Sequence, residues 1–165
     1  MTLSIIGKVA GPVLAGAPPH LMDGVMMDIS YMMRPSIVAT HSYKEAPALD
    51  VLLVPGGIGN LLLEQANDTW VEDFIGWRYP QLDYLLSVCT GSMSLAKSGV
   101  LNGKKATTNK SAWNTVVANG HNVTWMPSAR WTQDGKVWTS SGVSAGELKV
   151  STAYPRKGDS NEVFT

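Results

Sequence analysis

The sequence predicts a single α/β domain built on a mainly parallel sheet, and three observations lead there. Residues 50–54 and 84–88 are largely apolar runs, the pattern of strands buried on both faces of a parallel sheet. Between them, Trp70, Val71, Phe74 and Ile75 fall on one face of a helix. Strand, helix and strand in that order make a βαβ unit, whose crossover is right-handed. The length of 165 residues suits one domain, and 44% hydrophobic against 16% charged residues suits a packed core.

Taken in order, residues 3–6 and 37–39 read as short strands, the second bracketed by Pro35 and Pro47. The run at 50–54 ends in Pro55-Gly56-Gly57. Thr69 and Glu72 have capping-box spacing, in which hydroxyl and carboxylate each satisfy a free helix amide. After Cys89 a helix over residues 92–97 stops at Ser98-Gly99. A further helix carries Ala112, Trp113, Val116 and Val117, with Asn109 or Ser111 as its cap and Gly120 as its terminator. Asp134-Gly135 between two alternating runs predicts a two-residue hairpin in which Trp131 faces Trp138, a pair worth ~0.5–1 kcal/mol.

Two stretches stand apart from this scheme. Residues 17–35 hold five of the eight methionines, including Met22, Met26 and Met27, and read as loose core or an inserted loop. Residues 147–165 are polar and rich in helix breakers, so they read as a frayed tail behind a domain spanning 1–146.

Charge and cysteine content exclude several functions. Thirteen Lys+Arg balance thirteen Asp+Glu, which removes the electrostatic footprint of a nucleic-acid or anionic-membrane binder. No stretch approaches the roughly 20 apolar residues of a membrane span, and the N-terminus lacks a signal-peptide pattern. The expectation is a soluble cytoplasmic protein. A single cysteine, Cys89, forms no internal disulfide and no Cys-rich zinc site. No metal-ligand spacing occurs, and no cofactor is expected.

Chemistry points to Val88-Cys89-Thr90-Gly91-Ser92, where a buried strand runs straight into a helix of small residues. Such a junction is a nucleophile elbow: the sharp turn exposes the side chain, and helix N-terminal amides favour the thiolate. The Thr90 amide, and the Gly57 amide at the end of the neighbouring strand, are candidate oxyanion donors. A buried cysteine is equally often inert, and the residues alone leave both readings open. His20, His41 and His121 read as surface residues, with His41 the one worth testing.

These motifs, in order, resemble the ThiJ/PfpI family. The matching residues are 50–57, 87–91 and 95–108, then Arg130-Trp131 and residues 139–146. The nearest branch is the isonitrile hydratase-like one. The resemblance implies a flavodoxin-like three-layer sandwich of the class I glutamine amidotransferase type, usually a homodimer acting on a small molecule. It implies Cys89 as nucleophile with Thr90 taking part, and Gly56, Gly57, Thr90 and Gly91 framing the substrate or oxyanion pocket. Attack on an isonitrile carbon would give a thioimidate, which water converts to an N-substituted formamide. Glyoxalase or deglycase chemistry, or a non-catalytic small-molecule sensor, are the alternatives.

The departures set further expectations. The family's first strand, the acidic residue that follows it, and its last apolar helix have no counterpart here, so the sequence reads as truncated at both ends. Loss of a positioned acid or base is worth about 10²–10⁴-fold in rate. Thr90 stands where protease-like members carry His, and Asn109 stands where many relatives have His after the Thr-Thr pair.

Overall fold

A computed structural model describes residues 2–14, 36–142 and 144–146 of the chain. The methionine-rich stretch, His20 and the tail lie outside the described residues. In chain order the strands and helices are β1 (Ile6–Gly7), β2 (Gly11–Leu14), β3 (Ser36–Ala39), β4 (His41–Ser42), β5 (Val51–Val54), α1 (Ile58–Gln65) and α2 (Trp70–Arg78). There follow β6 (Tyr84–Val88), α3 (Gly91–Lys97), β7 (Lys105–Ala106), α4 (Trp113–Val117), β8 (Thr124–Trp125), β9 (Trp131–Asp134) and β10 (Val137–Ser140).

The principal sheet has the order β5-β6-β10-β9. The first three strands run parallel and β9 returns antiparallel, so the sheet is mixed, with the expected βαβ unit inside it. In this register Leu52, Leu85 and Val137 share a face, and they pack with Ile75 and Leu95 into the main core. Helix α3 lies on β5 and β6 and touches α1, α2 and α4, which makes it the hub of that layer. The opposite face carries Leu86 and Trp138, both buried, and Leu53, which is 48% exposed. Full burial on both faces therefore holds for β6 but not for β5.

Smaller pairings surround this sheet. Strand β1 runs parallel to β4, β2 pairs antiparallel with β3, and β7 runs parallel to β8. The strand expected over residues 3–6 is found at Ile6–Gly7, so only Ile6 is shared. Ile5 is tied through both its backbone groups: its carbonyl accepts from the amides of Thr40 and His41, and its amide donates to Thr40 Oγ1.

Two local expectations are corrected. Thr69 precedes α2 as expected but makes no capping bond, because its backbone (φ −96°, ψ 10°) is not the extended conformation that carries a cap hydroxyl over the helix amides. Its hydroxyl instead donates to Asp73 Oδ2 at 3.0 Å. Glu72, the other half of the expected capping box, is buried, and its Oε2 has no hydrogen-bond partner among the described residues.

The hairpin turns one residue later than its Asp-Gly signal suggests. Asp134 pairs with Val137 across Gly135-Lys136, with Gly135 at φ +60°. Trp131 consequently pairs with Ser140 rather than Trp138. Moving the loop by one residue shifts each partner by two, which preserves the face, so the two indoles still stack diagonally at 5.5 Å between centroids.

Candidate functional site

The site forms where β6 ends and α3 begins. Cys89 there has φ +57°, in the left-handed region that a non-glycine residue occupies only when its surroundings hold it. Its amide donates to the Ser140 carbonyl at the end of β10, at 3.0 Å. Its carbonyl accepts from Ser92 Oγ at 3.2 Å and from Thr108 Oγ1 at 3.1 Å. Bonds from three separate segments thus fix the strained turn.

Close approach of β5 explains the glycines. A Cβ on Gly56 would lie 2.6 Å from the Thr90 nitrogen and 2.8 Å from Cys89 Cβ. A Cβ on Gly91 would lie 2.3 Å from the Val54 carbonyl oxygen. Only glycine lets the two chain segments meet at these separations.

The fold brings Gly56, Gly57, Cys89, Thr90 and Gly91 together at this junction. Within the cluster, the Gly57 N–H donates to Thr90 Oγ1 at 2.9 Å. The Thr90 hydroxyl lies 3.3 Å from Asn60 Oδ1 and 3.4 Å from the Gly57 carbonyl, either of which can take its proton. Asn60 in turn donates through Nδ2 to Ser94 Oγ at 3.4 Å. The Gly57 amide is therefore engaged by the threonine in this arrangement, and Asn60 joins the cluster from the first turn of α1.

Asn109 also reaches the cysteine, through a bond from Nδ2 to Cys89 Sγ at 2.9 Å. Neither Asn109 nor Ser111 caps α4, which starts at Trp113 with Ala112 at its cap position and no side-chain cap bond; Asn109 instead holds the turn before the helix, its Oδ1 accepting from the amides of Ser111 and Ala112. Its position directly after Thr107-Thr108 was the one signal for the sulfur contact. Thr107 anchors that segment, its amide donating to the buried Thr139 hydroxyl at 2.7 Å. Lys110 turns elsewhere, bonding Thr107 Oγ1 and the Ala129 carbonyl and lying over the Trp113 ring. Partial burial lowers its pKa from the usual lysine value.

Neither His41 nor His121 bonds the cysteine; His41 Nδ1 lies 2.9 Å from Thr40 Oγ1 and His121 is exposed. Among the described residues no group of three His, Cys, Asp or Glu is placed to hold a metal ion. None of their helices is long and apolar enough to cross a membrane.

The DJ-1/PfpI family model matches residues 25–151. The chain belongs to the DJ-1/PfpI family. It is 33% identical over 138 residues to isonitrile hydratase of Pseudomonas putida, an alignment covering 81% of this chain and 58% of that protein. A crystal structure of a ThiJ/PfpI family protein from Pseudomonas syringae superimposes with a TM-score of 0.65 at 26% identity, covering 97% of this chain and 66% of the other. Schizosaccharomyces pombe DJ-1, at 21% identity and a TM-score of 0.56 over 75% of this chain and 68% of its own, shares the fold. The chain spans less than two thirds of the length of the first two relatives. Its fold is the flavodoxin-like α/β fold of the DJ-1/PfpI family.

Proposed function

We propose that the chain is a cysteine-dependent hydratase of small isonitriles, with Cys89 as nucleophile. The observation that carries this reading is the Cys89 backbone, strained at φ +57° and held there by bonds to its amide and its carbonyl. Strain maintained by several partners is characteristic of functional positions. The 33% identity to isonitrile hydratase supports the substrate class.

In this reading the Cys89 thiolate adds to the terminal isonitrile carbon, forming a C–S bond, and that carbon takes up a proton. Water adds to the resulting thioimidate. Collapse of the adduct breaks the C–S bond, releases the N-substituted formamide and restores the thiolate. Thr90 serves as the second catalytic residue, its hydroxyl orienting the substrate or water. Gly56 and Gly91 let β5 and the elbow close up, Gly57 has open space beside its Cα for the substrate end, and the Thr90 amide is the oxyanion donor. The described residues give the sulfur an amide partner rather than a titrating one, so turnover is expected about 10²–10⁴-fold below that of a site with a positioned acid or base.

The test is formamide production from an alkyl isonitrile by the soluble protein, followed by NMR, against Cys89→Ala. Faster production by the unsubstituted chain supports the reading, and equal rates overturn it. That a non-titrating amide faces the sulfur favours a second reading, a small-molecule sensor in the same fold. Thermal stabilisation by an isonitrile without turnover would establish it over the hydratase. Homodimerisation and a cytoplasmic location belong to the same proposal, and light scattering and cell fractionation check them.

A further inference from the structure

We infer that Asn109 is a positioning residue for the Cys89 thiolate, a carboxamide locked so that only its NH2 group faces the sulfur. This rests on the reading of Cys89 as the nucleophile. An asparagine side chain has an acceptor end and a donor end, and its neighbours decide which way round it lies. Here Oδ1 accepts from the Ser111 amide at 2.8 Å, the Ala112 amide at 3.2 Å and Ser111 Oγ at 2.5 Å. Two of those three partners are backbone N–H groups, which can only donate. A flipped amide would set NH2 against NH and lose those bonds. Nδ2 is therefore left to Cys89 Sγ, at 2.9 Å.

A fixed donor makes the sulfur an acceptor. A thiolate accepts better than a thiol, because a hydrogen bond to an ionised group is roughly twice as strong as a neutral one. Asn109 thus holds a fixed donor against the sulfur without carrying charge or titrating itself. The charged side chain nearest in sequence, Lys110, is committed to Thr107 Oγ1, the Ala129 carbonyl and the Trp113 ring. The segment is held to the elbow at two points, since Thr108 Oγ1 donates to the Cys89 carbonyl while Asn109 donates to its sulfur. One carboxamide consequently couples the entry into α4 to the state of the thiol.

Asn109→Asp separates these two duties. The carboxylate keeps an acceptor for the Ser111 and Ala112 amides, and a negative charge suits a helix entry. Its second oxygen replaces the donor and repels a thiolate. The expected result is a fall of about tenfold or more in the rate of Cys89 alkylation by iodoacetamide at neutral pH, the scale of one lost charge-assisted hydrogen bond. The thiolate ultraviolet absorbance should fall in parallel, while the thermal transition stays unchanged.

Asn109→Ala should slow alkylation less, by a few-fold, and lower the thermal transition through loss of the bonds to the Ser111 and Ala112 amides. If Asn109→Asp does not fold, the alanine variant and the thiolate absorbance of the unsubstituted protein still decide. Alkylation and absorbance that remain unaltered in either folded variant would reduce Asn109 to a support of the turn before α4 and overturn the inference. The readout is alkylation rather than turnover. Slowed alkylation in protein that never hydrates an isonitrile would retain Asn109 and discard only the hydratase.

Discussion

The elbow between β6 and α3 and the paired strands β2 and β3 are both short structures, yet they obey different rules. From Thr90 to Ala96 every residue is buried, and at Gly56 and Gly91 the packing leaves no room for a single added carbon. In β2 and β3, Val13, Ile37 and Val38 are exposed, the last at 59%, and pairing rests on backbone bonds. The difference shows where side-chain size is a structural requirement. At the elbow the geometry of a reactive group depends on the smallness of its neighbours, whereas at the exposed positions of β2 and β3 any residue that tolerates an extended backbone will serve.

The strongest way to break the comparison is Gly91→Ala. Its methyl group would lie 2.3 Å from the Val54 carbonyl oxygen and 2.9 Å from that of Pro55, both backbone atoms with little freedom to yield. A loss of about 3 kcal/mol, the upper part of the range for overpacking, is expected from urea unfolding. A loss below about 1 kcal/mol would mean that β5 and the elbow can separate cheaply.

Thr139→Val sharpens the comparison at intermediate cost. The fully buried hydroxyl accepts from the Thr107 amide and shares a hydrogen bond with Thr132 Oγ1 at 2.8 Å. An isosteric methyl leaves those groups unsatisfied, for about 1–3 kcal/mol in the same measurement. Because Thr107 anchors the segment carrying Asn109, Cys89 alkylation should change as well. The smallest effect belongs to Val38→Thr, a β-branched exchange on an exposed face, which should stay within about 0.5 kcal/mol. A larger loss would show that β3 is packed against something.

Much of the elbow was legible from the chain because its requirements are local. An apolar run, one cysteine and a glycine beside it already describe a sharp strand–helix turn, and Pro55-Gly56-Gly57 marks the end of its neighbour. The contact from Asn109 to the sulfur was not legible, since its partners are 20 residues apart. It exists because Thr107 and Thr108 are tied to β10 and to the elbow. The capping box at Thr69 failed for a related reason: residue spacing says nothing about the backbone dihedrals that aim the hydroxyl.

By itself, then, the sequence determined the α/β class, the βαβ order and the cysteine at the junction. Hydrophobic period, turn residues and small side chains act over a few positions, and their physics needs no distant partner. Tertiary structure decided the hairpin register, the burial of Glu72, the engagement of the Gly57 amide by Thr90 and the amide on the sulfur. Each of these depends on which polar groups meet once the sheet has formed, and a hydrogen bond is directional and short enough that a displacement of one residue redirects it.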